Sequence, residues 1–168
     1  ASVCVYHKGE KVVDLWGGFK DKNRKLPWKD DTMIIVFSTT KGMSSFALGL
    51  LHSRGLFSYD DKITKYWPEF GQNGKEDITI RTLLCHQAGL CGMDRILRVN
   101  TLNDHQKMGE ILSIQTPAWK PGEHQGYHAW TIAFYMDQLV RKIDPLNRGL
   151  AQFFHQEIAE PLNQPFYI

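Results

Sequence analysis

Strand-like patterning is confined to the N-terminal end of this chain, and that confinement limits the folds open to it. In SVCVYHKGEKVVDLWGG, residues 2–18, two segments rich in valine and aromatic residues flank a Lys8-Gly9-Glu10 turn, and Gly17-Gly18 ends the second. The pattern predicts a β-hairpin. A lone hairpin is marginal in water and needs further strands or a covering helix. Next, FKDKNRKLPWKDD interleaves lysines with acids and reads as a solvated loop. TMIIVF is a short apolar run leading onward, and beyond it the chain reads mostly as helix. The expected class is α+β with an under-supplied sheet.

The stretch FSTTKGMSSFALGLLHSRG, residues 37–55, reads as a helix. Met43, Phe46, Ala47, Leu50 and Leu51 recur at spacings of three and four, and Gly55 stands where a C-terminal cap belongs. GLFSYDDKITKYWPEFG is loop-like, punctuated by Pro68 and Gly71. DITIRTLLCHQAGL predicts a short extended piece entering a short helix capped by Gly89. LNDHQKMGEILSIQ predicts a helix with Leu102, Met108, Ile111 and Leu112 as its apolar positions. TPAWKPGEHQGYH, with two prolines and two glycines, must be a loop. AWTIAFYMDQLVRKI and RGLAQFFHQEIAEPL predict two more helices, broken around Pro145 and ended by Pro161.

Composition removes several functions. Twenty basic side chains against eighteen acidic ones leave no charge excess for nucleic acid or an anionic membrane surface. No apolar run approaches the roughly 20 residues that cross a bilayer. The three cysteines, Cys4, Cys85 and Cys91, are odd in number and lack metal-type spacing, which argues against a disulfide framework and toward a reducing compartment. The first residues lack a signal-peptide layout, but a trimmed chain would look the same, so the compartment stays open. G-x-S-x-G, a phosphate-binding glycine loop and H-E-x-x-H are all missing. His124 and His128 stand four apart beside Glu123. Gly126 and Pro121-Gly122 break helical spacing there, no third ligand offers itself, and neither a metal nor any other cofactor is expected. His52 and His86 sit beside apolar positions and read as structural histidines.

Ser38 and Lys41 are three apart on the expected helix, so their Cβ atoms would lie roughly 5–6 Å apart. Gly42, Ser45, Leu48 and Gly49 lie near that face, and only the lysine is charged. A serine hydroxyl becomes a useful nucleophile once a base takes its proton. Bringing a lysine amine from its ordinary 10.4 to near neutrality takes about 4–5 kcal/mol, which burial and neighbouring donors can supply. With 7 serines and 13 lysines, chance alone gives about half an occurrence of this spacing. A serine cap followed by a solvated lysine explains the spacing equally well. A third group raises the interest: Tyr127 follows a glycine in a loop and precedes a helix, where its phenol could reach a cleft. Near an ammonium that phenol ionises more easily and could take or relay the serine proton. The expectation is an alcohol, an amine and a phenol meeting in one dry pocket.

Taken in order, FSTTKGMSS, GLFSYDDKITKYWPEFG, ITIRTLLCHQAGL, WKPGEHQGYHAWT and EIAEPLNQPFYI resemble the serine β-lactamase and penicillin-binding-protein superfamily, and in particular its class C-like esterases and β-lactamase-related members. VVDLWGG near the start fits as well, so the resemblance runs over essentially the whole chain. It implies a β-lactamase-like, transpeptidase-like fold: an antiparallel sheet flanked by helices. Ser38 would be the acylated nucleophile, Lys41 its activating lysine, and Tyr127 the general base and later acid. Gly126 and His128 would lie on the substrate side, and the Ser38 N–H would provide half of an oxyanion hole. Substrates would be small esters, lactams or peptides.

Two departures qualify that implication. The second motif is usually Tyr-x-Asn, whereas here it reads Tyr127-His128-Ala129. Alanine cannot hold a lactam side-chain amide, which resembles the esterase branch. The third motif, Lys-Thr-Gly or His-x-Gly on a late strand, has no counterpart before PFYI. The expectation is one incomplete domain, 1–37 supplying the first strands and 38–168 the mainly helical region, with the C-terminal strands missing. A natural short form is the alternative. Uncovered hairpin edges would favour self-association. A non-catalytic scaffold that kept the fold is the rival function.

Overall fold

A computed structural model describes residues 1–168, which divide into two compact units, Ala1–Phe37 and Ser38–Ile168. In the first, β1 (Ser2–His7) and β2 (Glu10–Trp16) pair antiparallel, with Ser2 opposite Trp16 and a register shift between Val5 and Tyr6. Lys8 and Gly9 join them at φ +49° and +85°. Positive φ at both central residues matches the strand twist, and glycine reaches it without strain. Ala1 and Gly17 exchange two hydrogen bonds at the open end.

The lysine-rich segment is not all loop. β3 (Phe19–Asp21) and β4 (Leu26–Pro27) form a second, minimal hairpin. Asp21 Oδ1 accepts from the Arg24 amide at 3.0 Å, and Lys25 takes a left-handed φ of +55°. Charge hid this element, because a turn fixed by one side chain needs no apolar alternation. By contrast the TMIIVF run makes no strand: Met33, Ile34 and Ile35 are exposed.

The second unit is helical: α1 (Thr40–Ser53), α2 (Ile80–Leu84), α3 (Val99–Leu102), α4 (His105–Ile114), α5 (Thr131–Ile143) and α6 (Leu150–Phe154), the last continuing as a single π turn, His155–Ala159. Its core joins Ala47, Leu48 and Leu51 of α1 to Ile80 and Leu83 of α2, Met108 and Leu112 of α4, Tyr135 and Leu139 of α5, and Phe153 of α6. The buried stripe of α1 is Ser44, Ala47, Leu48 and Leu51, whereas Phe46 is 56% exposed. Periodicity named a stripe and missed its rotation, because Leu48 is as apolar as Phe46 and the neighbouring elements decide which one faces inward. Gly55 follows the last turn at φ +72° and donates to His52 O, as a C-terminal glycine should.

α2 stops at Leu84, before the expected Gly89. Gly89 is needed for another reason: a Cβ there would sit 2.6 Å from the Trp119 carbonyl. Leu102 belongs to α3 rather than α4, because Asp104 caps α4 by accepting from the Lys107 amide. Where α5 meets α6, Arg148 donates Nε and Nη2 to Asp144 at 2.8 and 3.0 Å and Nη1 to Glu157 at 2.7 Å. Arg54, just past α1, reaches the other Glu157 oxygen at 2.6 Å. Lys75 is fully buried, its ammonium donating to the Gln72 and Gln115 carbonyls at 2.8 and 2.7 Å. No helix is long and apolar enough to cross a membrane.

Candidate active site

A 3₁₀ turn, Phe37–Thr39, carries Ser38 into α1, so Ser38 precedes the α-helix proper and Lys41 lies in its first turn. The spacing of three brings the side chains together, with Lys41 Nζ donating to Ser38 Oγ at 3.1 Å. A second and shorter bond, 2.7 Å, runs from Nζ to the Ala129 carbonyl, 88 residues away. Nζ also lies 5.0 Å from the centroid of the Tyr127 ring. The three residues the sequence singles out therefore meet, and Lys41 is the bridge among them.

The Tyr127 phenol is held below its usual pKa. Hydrogen bonding from Ser38 is the main cause, followed by hydrogen bonding from Lys41 and by the lysine charge. These interactions favour phenolate beside the serine hydroxyl. The site is open, not dry: Ser38 is exposed, Lys41 half-buried and Tyr127 56% exposed.

What holds Tyr127 in place is an irregular strip that follows α2. The Gly126 amide donates to the His86 carbonyl at 3.0 Å and the Gly122 amide to the Gln87 carbonyl at 2.9 Å. The Ala118 amide donates to the Gly89 carbonyl at 2.7 Å, and Gln125 Nε2 to the Cys85 carbonyl at 3.0 Å. His86 adds its ring: Nδ1 accepts from the His128 amide at 3.0 Å, and the ring lies 5.0 Å from that of Tyr127. His128 is fully buried, with both nitrogens engaged. Expected on the substrate side, it points into protein instead. Gly126 packs on Trp119, and a Cβ there would fall 2.5 Å from the indole Cη2.

His86, read from the sequence as a structural histidine, has a specific structural task beside the site, and the Ala129 carbonyl was not foreseen at all. His86 had one visible signal, its place before a glycine in CHQAGL. A backbone carbonyl has none, since every residue carries one. Glu123, once weighed with the histidines, pairs with Lys120 at 2.7 Å. A cleft of about 610 Å³ between α4 and α5, lined by Gln106, Ser113 and Arg141 among others, includes none of the Ser38 group.

A family model described as beta-lactamase matches residues 1–165. The chain is 38% identical to the esterase/beta-lactamase LipL of Mycobacterium tuberculosis, over 96% of this chain and 37% of that protein. Among solved structures, a family VIII carboxylesterase superposes with a TM-score of 0.88 at 40% identity, covering 95% of this chain and 43% of the other. A penicillin-binding protein homologue from Caulobacter crescentus gives 0.88 at 33% identity, covering 96% and 43%. The chain thus spans about two fifths of the length of these relatives.

Proposed function

The chain belongs to the beta-lactamase family, and from that premise we propose that Ser38 is the acylated nucleophile of a serine hydrolase acting on an ester or amide. Residues 1–168 count in this reading as one β-lactamase-related domain. Ser38 Oγ attacks the substrate carbonyl carbon while its proton passes to the Lys41–Tyr127 pair. The tetrahedral intermediate collapses as the leaving group takes that proton. Water, deprotonated by the same pair, then attacks the acyl carbon and regenerates Ser38. The observation that carries this reading is the Lys41 ammonium, bonded at once to Ser38 Oγ and to the Ala129 carbonyl and lying against Tyr127. A lysine so anchored stays beside the serine hydroxyl and the tyrosine ring, which is the fixed geometry that proton transfer requires.

Esters are favoured over lactams, because position 129 offers only a methyl group where an amide-binding side chain would serve a lactam. Likeness to a family VIII carboxylesterase supports the same ranking, while the relative named esterase/beta-lactamase is neutral between the two. The second reading is a scaffold that kept the fold without catalysis. A fluorophosphonate probe separates the two. Labelling at Ser38 that disappears in Ser38→Ala supports the hydrolase, and no labelling of the folded chain supports the scaffold. Faster turnover of a short-chain p-nitrophenyl ester than of nitrocefin is expected, and the reverse ranking would contradict the substrate assignment. β1 and β2 pair only with each other, so their outer edges can recruit a second copy. Sedimentation velocity is expected to show dimer growing with concentration.

A further inference from the structure

We propose that His86 and His128 are positioning residues, and that together they hold the Tyr127–Ala129 segment against Lys41 only while both imidazoles are neutral. Each ring accepts a backbone N–H. His128 Nε2 accepts from the Leu90 amide at 2.9 Å. Its one proton must then sit on Nδ1, which donates to the Gly126 carbonyl at 2.6 Å. His86 Nδ1 accepts from the His128 amide at 3.0 Å, so its proton sits on Nε2. Neither ring can take a second proton without turning an N–H toward an N–H.

These bonds bracket the reactive tyrosine. Gly126 before it is tied to the His128 ring and to the His86 carbonyl, and the His128 amide after it is tied to the His86 ring. The next residue, Ala129, supplies the carbonyl that anchors Lys41. Losing either acceptor frees the segment that positions both phenol and ammonium. Of the groups around the pair, only the Gly126 carbonyl on His128 favours the charged form, and burial outweighs it. His86 faces Lys41 from α1 and Tyr127 and His128 from the loop; His128 faces His86 and the edge of Trp119. No carboxylate acts on either ring. Both pKa values lie below the ordinary histidine value, chiefly through burial, and for His86 also through the positive charge of His128 when protonated and of Lys41.

The clamp itself stands on hydrogen bonds, while its effect on Ser38 rests on the hydrolase reading, so two readouts are needed. The first ignores catalysis. Protection factors of the Leu90 and His128 amides, measured by NMR exchange on the full chain, are expected to fall about tenfold between about pH 7.5 and about pH 5 as the acceptors protonate. Unchanged protection overturns the clamp. The second readout is the rate of fluorophosphonate labelling of Ser38, normalised to each protein's own value at about pH 7.5. His86→Asn places an amide oxygen, which does not titrate in this range, near the position of Nδ1. It should retain about fivefold more of its labelling at about pH 5.5 than the wild type, the weight of one hydrogen bond. His86→Phe, which cannot accept, should label slowly throughout. Identical normalised profiles for wild type and His86→Asn would also overturn the proposal. If Ser38 labels at no pH, the hydrolase reading fails and the amide protection alone decides the clamp.

Discussion

Deleting the phenolic oxygen of Tyr127 tests its chemistry without disturbing its packing. Phenylalanine keeps a ring against the Lys41 ammonium and the His86 imidazole, 5.0 Å away in each case. Tyr127→Phe should slow acylation of Ser38 by about 10²–10⁴-fold, the usual contribution of one general acid–base group, and leave the melting temperature unchanged. Gly126 behaves oppositely. In Gly126→Ala the new methyl meets the Trp119 ring, with backbone bonds on either side that resist a shift. A loss of about 1–3 kcal/mol by urea titration is expected, with labelling falling alongside. Lys75 tests electrostatics. Burial pushes its ammonium down to about 8. The unfolded chain keeps that proton until about 10.4, so between those values the folded state binds fewer protons and stability rises with pH. Measured against Lys75→Met, which cannot titrate, the gain should approach about 3 kcal/mol across that window and be absent below it.

Among the elements, the junction of α5 and α6 sets a buried ion pair beside the apolar contacts of Ile143, Leu150 and Phe153. Asp144 and Arg148 are nearly fully buried, and the Arg148 guanidinium spans Asp144, Gln156 and Glu157. Its hydrogen bonds hold the Asp144 carboxyl below the usual range. That contribution is present above the ordinary aspartate pKa of about 3.9 and is lost as pH falls below it. Asp144→Ala leaves a buried cation with only part of its partners and should cost about 3 kcal/mol in urea unfolding. Replacing exposed Lys62, paired with Asp77 at the surface, should change stability by less than about 1 kcal/mol. The strip after α2 works differently: it is short and irregular, and its value lies in carbonyls and amides turned toward the Tyr127 loop. His86 itself adopts φ +60°, a conformation non-glycine residues rarely take.

At the scale of the whole molecule the two units differ in what stabilises them. Ala1–Phe37 consists of two two-stranded ribbons whose side chains are almost all exposed, whereas Ser38–Ile168 encloses one continuous apolar core. Ribbons of two strands hold few protected amides, and a packed core holds many. Hydrogen exchange followed by mass spectrometry should therefore find β1 and β2 exchanging within seconds and α1 and α5 protected for hours. The Ser38 site lies within the protected unit, so loss of the first unit's structure alone should leave the Lys41–Ser38–Ala129 contacts in place.

The order and type of the long helices were legible in the sequence, because 3.6-residue periodicity and glycine or proline punctuation are local properties. Ser38 beside Lys41 was legible for the same reason, being one helical turn apart. The ordered motifs likewise carried the beta-lactamase family, and with it the α+β, penicillin-binding-protein-like fold. The rotation of α1 was not legible, nor were the second hairpin, the openness of the site, or the inward turn of His128. Tertiary contact decided those. A stripe is buried only against a particular neighbour, and a backbone carbonyl becomes a ligand for Lys41 only when a residue 88 positions away is folded beside it. Side-chain identity is written along the chain, but which main-chain groups meet across that distance is fixed only when the loop closes.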